Sequence, residues 1–220
     1  MGPRRHPIHS AHAAVAVTLA FSALLAGCTP AFVPPAEAEH IRHKVRGSPL
    51  IVAFEGLQPF SGFTARNVAR MVAADVDAAA SATSGNWMAH GGLVREAHAH
   101  GQPVYVIGYS IGCSDALQLA QWCKLSGIPV RVLFLLDPAV LPGRVPDNVA
   151  RVMAIRSASL VAWPHTDLTA GSLADRTRTV LEVVDLSTTF HGYLPYEAAL
   201  PIRVRIGQDM SERAAAPPPR

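Results

Sequence analysis

The hydrophobic positions of the chain fall into short continuous runs separated by amphipathic stretches. Five of these runs have the length and the content of β-branched residues that favour strands buried on both faces of a parallel sheet. The expected strands cover residues 50–54, 104–107, 130–136, 151–156 and 179–186. Because they alternate with helical patterns, the chain predicts an α/β fold with a mostly parallel sheet and helices on both faces.

Between these runs, apolar residues recur at the spacing of amphipathic helices. The spacing predicts helices over residues 64–80 and 92–100, and a third helix that follows Gly112, has Asp115 in its first turn and extends to Cys123. We expect residues 81–87 to form a loop, with at most a weak short strand near Trp87, and residues 197–206 to form a closing helix or an edge strand. No insertion is long enough for a large lid over the carboxyl edge of the sheet.

The strand at 104–107 runs directly into a G-x-S-x-G pattern, Gly108-Tyr109-Ser110-Ile111-Gly112. A strand that reverses at once into a helix leaves no room for a Cβ atom on either side of the turn residue, which explains the two glycines. Such a turn presents its serine at the carboxyl edge of the sheet, where it can act as a nucleophile. The alternative is a glycine-rich turn whose serine only caps the following helix.

With its flanking strand and helix, this motif resembles the nucleophile elbow of the α/β-hydrolase superfamily. The resemblance implies a Ser-His-Asp triad and an oxyanion hole built from two backbone N–H groups. One N–H group is that of Ile111, directly after the serine, and the other is that of Leu57, in the turn after residues 50–54. Glu55 stands where the family usually has histidine, so the Leu57 assignment depends on the Gly56 turn alone.

Asp137 ends the most apolar run of the mature protein, residues 130–136, and is followed by proline. A carboxylate in this place lies at the carboxyl edge of the sheet, where α/β proteins have their sites. The position resembles the thioesterase-like branch of the superfamily, in which the triad acid follows this strand, so we expect Asp137 to be the acid. Most members place the acid one strand later, and there Asp167 is the alternative.

A histidine in the loop past the final strand is where the superfamily keeps its general base, which indicates His191. His165, in the loop that also holds Asp167, is the alternative base. We expect His98 and His100 to be exposed on a helix, and His90 has no evident partner.

The first residues resemble the signal peptide of a bacterial lipoprotein. Arg4 and Arg5 form a positive segment, residues 13–25 form an apolar stretch too short for a comfortable membrane span, and small residues precede Cys28. The resemblance implies cleavage before Cys28, a lipid on its sulfur, and a location in the cell envelope, with Thr29 favouring the outer membrane. The alternatives are an ordinary secretory signal and an uncleaved anchor.

The predicted organisation of the whole chain is a signal at 1–27, a tether at 28–47, a hydrolase domain at 48–206 and a flexible tail at 207–220.

Charge and cysteine content exclude several classes of function. The formal net charge of +3 falls to +1 once Arg4 and Arg5 are removed with the signal, and so small a charge is not typical of a nucleic-acid binder.

Cys113 and Cys123 lie on one expected helix about 15 Å apart, too far for a disulfide, so we expect them to be buried packing residues. His40 and His43 lack further ligands nearby, and we expect no metal and no cofactor.

Together these patterns predict an exported serine hydrolase of carboxylic esters or thioesters. Thioesters of coenzyme A are cytosolic, so export favours an oxygen ester that is lipid-like or derived from the cell envelope. Two alternatives remain open on the sequence: a catalytically inactive envelope lipoprotein that binds a ligand, and an acyltransferase that uses the same triad.

Overall fold

Six parallel strands form one sheet at the centre of the molecule. The computed structural model describes residues 41, 43–56, 65–83, 85–158, 166–187 and 191–216. The strands are β1 (Leu50–Phe54), β2 (Ala79–Thr83), β3 (Val104–Tyr109), β4 (Val130–Leu136), β5 (Val149–Ser157) and β6 (Val180–Leu186). Their order across the sheet is β2-β1-β3-β4-β5-β6, and every neighbouring pair is parallel.

Helices cover both faces of this sheet. They are α1 (Ala65–Asp75), α2 (Gly91–Ala99), α3 (Gly112–Leu125) and α4 (Leu194–Ala215). Alternate strand residues point to opposite faces, so Ile51 packs with the core under α1 and α4, whereas Val52 packs with the core under α2 and α3. The predicted α/β class, with a parallel sheet between two helical layers, is confirmed.

The central strand β3 is buried at all six positions, which agrees with its unbroken apolar sequence. Its neighbours β1 and β4 pair with it along almost their whole length. Parallel strands share one carboxyl edge, so the residues that follow β1, β3 and β4 meet at the same edge of the sheet. The candidate site lies there.

The structure of residues 65–87 differs from the prediction, because it contains the strand β2. The expected helix over 64–80 ends at Asp75, and after a turn in which Asp77 has φ 48° the chain forms a strand rather than a loop. Residues 87–90, where a weak strand was expected, form a turn of 3-10 helix. The alanine-rich sequence of β2 has weak strand propensity, and pairing with β1 from Leu50 to Phe54 overrides it.

A second prediction, the flexible tail after residue 206, is also wrong in the described residues. Residues 207–215 belong to the helix α4, where a flexible tail was expected. Asp209 is buried, and its carboxylate accepts hydrogen bonds from Arg131 and Tyr105, near the amino ends of β4 and β3. Contacts between residues so distant in sequence cannot be seen in the local pattern of α4.

The predicted tether also differs in its last residues. Ile41 and Val45 are buried, and Lys44 and Arg46 form ion pairs with Asp77 and Glu96 of the domain. The packed part of the chain therefore begins before Ser48. The remaining tether and the predicted signal peptide, including Cys28, lie outside the described residues.

None of the described helices combines the length and the apolar character needed to cross a membrane. Cys113 and Cys123 are both buried, unbridged residues of α3, as predicted.

Candidate active site

The turn between β3 and α3 has the steric character expected of G-x-S-x-G. Ser110 has φ 54°, a left-handed conformation that a residue with a side chain adopts only under constraint. A Cβ atom on Gly108 would lie 2.6 Å from Cα of Cys113, and one on Gly112 would lie 2.5 Å from the carbonyl oxygen of Phe54. Both glycines are therefore required for this tight turn, and the predicted geometry is confirmed.

Backbone hydrogen bonds hold Ser110 at the carboxyl edge of the sheet. Its N–H donates to the Leu136 carbonyl at 2.8 Å, and its own carbonyl accepts from the Ala139 N–H at 3.3 Å. A Cβ atom on Gly56 would lie 3.0 Å from the Ser110 Cβ, so Gly56, two residues after β1, lies directly against the serine. The serine is only 2% exposed, whereas the adjacent Ile111 is 44% exposed. Leu57, the other predicted oxyanion donor, lies outside the described residues.

Asp137 lies one strand away, directly after β4. Its φ is 41°, and its N–H donates to the Ile155 carbonyl of β5 at 2.9 Å. The Ser157 N–H donates to Oδ1 of Asp137 at 2.8 Å, and the Ser157 hydroxyl donates to Oδ2. Burial alone would raise the pKa of the Asp137 carboxyl, but hydrogen bonds from His191 and Ser157 stabilise its charged form and lower the pKa overall.

His191 begins a turn of 3-10 helix, His191–Tyr193, that leads directly into α4. Its Nδ1 lies 2.8 Å from Oδ2 of Asp137, a residue 54 positions earlier. Since an ionised carboxylate only accepts, Nδ1–H is the donor, and this bond orients the ring. No hydrogen bond joins the His191 ring to the Ser110 hydroxyl within the described part of the chain. Such bonds are often longer in ligand-free sites and shorten when substrate binds.

The alternative acid has a different partner. The Asp167 carboxylate accepts a hydrogen bond of 3.0 Å from Nη1 of Arg156. The same guanidinium also donates two hydrogen bonds, of 2.7 and 3.1 Å, to Asp185 through Nε and Nη2. The Asp167 side chain is 60% exposed. His165, the alternative base, lies outside the described residues. The structure thus brings His191 and Asp137 together and places Asp167 in a surface ion-pair network.

The chain resembles known proteins in its fold and not in its sequence. No known family profile matches the chain, and no curated protein is similar to it in sequence. A protein of Xanthomonas campestris assigned to the hydrolases of the α/β superfamily is 19% identical, with a TM-score of 0.50 over 73% of this chain and 99% of that one. An esterase of Pyrobaculum calidifontis, in its monoclinic form, is 16% identical, with a TM-score of 0.53 over 77% of this chain and 78% of that one. The chain has the α/β-hydrolase fold.

Within this α/β-hydrolase fold, two site residues were missed by sequence reasoning. Ser157 ends β5, the strand after which most family members place their acid, and here it donates two hydrogen bonds to the Asp137 carboxylate. Tyr109, the residue before the serine, stacks its ring on His191 with ring centroids 4.8 Å apart. The position of Ser157, a polar residue at the end of a strand, could have indicated its role from the sequence. Nothing in the local sequence indicates the contact of Tyr109 with His191.

Glu55 and His90 also differ from their apparent sequence roles. Glu55, at the position of the usual family histidine, is buried and forms an ion pair of 3.2 Å with Arg66. His90 was expected to lack a partner, but it is 1% exposed and lies 3.1 Å from the Thr83 hydroxyl. Burial lowers the pKa of His90 to about 4, so it is neutral and structural. His98 and His100 are exposed, as predicted.

Proposed function

We propose that the protein is a serine hydrolase that cleaves carboxylic esters through an acyl-enzyme on Ser110. The observation that carries this proposal is the hydrogen bond between His191 and Asp137, made beside a serine held at positive φ after a buried strand. Nucleophile, base and orienting acid are the residue types of a catalytic triad, and they occur in the chain order typical of the fold. The esterase with the same fold adds general support.

In the proposed reaction, His191 accepts the proton of the Ser110 hydroxyl as the oxygen attacks the acyl carbonyl. The Asp137 carboxylate keeps the Nδ1–H tautomer and balances the imidazolium that forms. Collapse of the tetrahedral intermediate expels the alcohol, which takes the proton from His191. Water then attacks the acyl-enzyme by the same route and releases the acid.

The backbone N–H groups of Ile111 and Leu57 would stabilise the negative oxygen of both tetrahedral intermediates. The Ile111 N–H follows the strained serine directly. For the Leu57 N–H, the support is the close contact of the preceding residue, Gly56, with Ser110. Each such donor is worth about 3 kcal/mol to a transition state, so the turn matters to the rate even though Glu55 replaces histidine.

We further propose that the enzyme is exported and held in the cell envelope by a lipid on Cys28, which favours oxygen esters, lipid-like or envelope-derived, over thioesters of coenzyme A. The support is the basic, apolar and small-residue pattern before Cys28. Replacement Cys28→Ser should abolish incorporation of radiolabelled palmitate in the native bacterial host, with Cys123→Ser as the matched control. Equal labelling of both variants would contradict the anchor.

A fluorophosphonate probe tests the enzymatic proposal directly, because it reacts with activated serines. We expect labelling of the purified wild type, and loss of labelling and of p-nitrophenyl butyrate hydrolysis in Ser110→Ala. The matched control is Ser114→Ala, which removes a hydroxyl four residues later that accepts a hydrogen bond from Gln118. For the base, His191→Ala should abolish hydrolysis, and His98→Ala should retain it because His98 is exposed.

The second candidate is an envelope protein that binds a ligand on the same fold without catalysis. The observation in its favour is Glu55, which stands in place of the histidine usual in α/β-hydrolases, is buried, and forms an ion pair with Arg66. A folded wild type that does not react with the probe would favour this candidate. An acyltransferase would label like a hydrolase, and would differ in transferring the acyl group to an added alcohol faster than to water.

A further inference from the structure

Tyr109 makes three contacts that join separate parts of the candidate site. Its ring stacks on the His191 imidazole with centroids 4.8 Å apart and an angle of 26° between the planes. Its hydroxyl donates a hydrogen bond of 3.0 Å to the His191 backbone carbonyl, 82 residues away in the chain. Its ring edge lies against Gly56, where a Cβ atom would be 3.0 Å from Cδ1 of Tyr109.

The imidazole of His191 needs such a support. The bond from Nδ1 to Asp137 fixes one point of the ring, but it does not by itself prevent rotation of the ring about the line between donor and acceptor. A parallel aromatic face removes that rotation, because tilting the imidazole would separate the two rings or make them collide. The bond to the backbone carbonyl fixes the height of His191 above the serine turn.

The protonation state of Tyr109 suits this role. Burial and the neighbouring Asp137 charge raise its pKa well above the ordinary value for tyrosine. The phenol therefore keeps its proton at every pH at which an esterase would work, and it remains a donor to the His191 carbonyl.

We propose that Tyr109 is a positioning residue, which holds the imidazole of His191 in the plane and at the height needed to accept the proton of Ser110. The role rests on the proposed function of the triad. It explains why an aromatic residue with a hydroxyl stands directly before the nucleophile. An error of about 1 Å in the placement of a catalytic group can cost about 100-fold in rate, which sets the expected size of the effect.

Two variants separate the contributions of the ring and the hydroxyl. Tyr109→Phe keeps the stacked ring and loses one hydrogen bond, and we expect kcat to fall about 5-fold. Tyr109→Leu loses both, and we expect kcat to fall about 100-fold. KM should stay within about twofold of the wild type in both variants, because Tyr109 positions the base and does not bind substrate. The rate of fluorophosphonate labelling should fall in parallel with kcat.

Tyr105→Phe is the matched control. Tyr105 lies four residues earlier on the same strand, and its hydroxyl donates to Asp209 at 2.8 Å, away from the candidate site. The same loss of a buried hydroxyl should leave kcat unchanged there. If Tyr109→Phe and Tyr109→Leu both keep the kcat of Tyr105→Phe, the proposal is wrong. If Tyr109→Leu does not fold, Tyr109→Phe decides, and an unchanged kcat overturns the proposal.

Proton NMR supplies a readout that does not depend on activity. The ring protons of His191 lie over the face of Tyr109, so the ring current should shift them upfield in the wild type and in Tyr109→Phe. The shift should disappear in Tyr109→Leu. If the wild type lacks it, the stacking and the proposal fail. If the shift is present but the wild type does not react with the fluorophosphonate, the proposed enzymatic function fails instead, and the role of Tyr109 in it falls too.

Discussion

Two buried aspartates lie at opposite edges of the sheet and differ in their partners. Asp137, at the carboxyl edge, binds Ser157 and the imidazole of His191. Asp209, on α4, lies beside the first residues of β3 and β4, where it accepts two hydrogen bonds of 2.6 and 3.2 Å from the guanidinium of Arg131 and one of 2.8 Å from the Tyr105 hydroxyl. In both carboxyls, hydrogen-bonded partners outweigh burial and lower the pKa.

The difference teaches that burial and a lowered pKa do not by themselves identify a catalytic carboxylate. Arg131 carries a permanent charge, and its planar fork occupies both oxygens of Asp209, so this arrangement has no proton to transfer. The partner of Asp137 is an imidazole, which can accept a proton on its other nitrogen. Asp137 also has φ 41°, a conformation of the kind that clusters at functional sites. Under the proposed function, Asp137 therefore has a catalytic role and Asp209 a role in stability.

The largest expected effect comes from Asp137→Asn. The amide would favour the wrong tautomer of His191, so kcat should fall about 10³- to 10⁴-fold while the protein stays folded. Steady-state hydrolysis of p-nitrophenyl butyrate measures the effect, and circular dichroism checks the fold. The control is Asp167→Asn, which weakens an exposed ion pair with Arg156 and should keep its activity. A greater loss in Asp167→Asn would move the acid to the later loop.

Asp209→Asn should have the opposite profile. It leaves Arg131, whose side chain is 30% exposed, without its charged partner. We expect a loss of about 2 kcal/mol in the free energy of unfolding, or about 6 °C in Tm, with kcat unchanged. Urea unfolding and steady-state kinetics on the same preparation measure both. Loss of activity without loss of stability would reverse the assignment of the two aspartates.

The pH dependence sharpens this second prediction. Because the folded Asp209 has a pKa below its ordinary 3.8, its stabilisation is complete above pH 3.8 and is lost as the pH falls through the folded value. The difference in unfolding free energy between wild type and Asp209→Asn should therefore be constant from pH 7 to pH 5 and should shrink below about pH 4. A constant difference down to pH 3 would show that the charge of Asp209 is not what stabilises the fold.

Of the substitutions at Asp137, Asp209 and Ser157, Ser157→Ala is expected to have the smallest effect. The variant loses the hydroxyl that donates to Asp137 and keeps the backbone N–H, so kcat should fall about tenfold and stability should change little. Ser157→Thr restores a hydroxyl and should recover most of the activity. If both variants have the wild-type kcat, the hydroxyl plays no part in holding the acid.

The elbow and five of the six described strands could be predicted because their signals are local. Gly108 and Gly112 flank Ser110 within five residues, and the steric reason for them is visible in the sequence. The strand β2 could not be predicted, because its alanines favour a helix and only pairing with β1 makes it a strand. The end of α4 was missed for a similar reason, since Asp209 finds its partners on β3 and β4.

By itself, the sequence determined which side chains can carry chemistry and the order of the strands and helices other than β2, because both depend on neighbouring residues. Only the tertiary structure decided that His191 binds Asp137, that Ser157 holds this carboxylate, and that Tyr109 supports the imidazole. These contacts join residues 20 to 82 positions apart. Their formation depends on the register of the parallel strands and on the turns at the carboxyl edge, which no short stretch of sequence encodes.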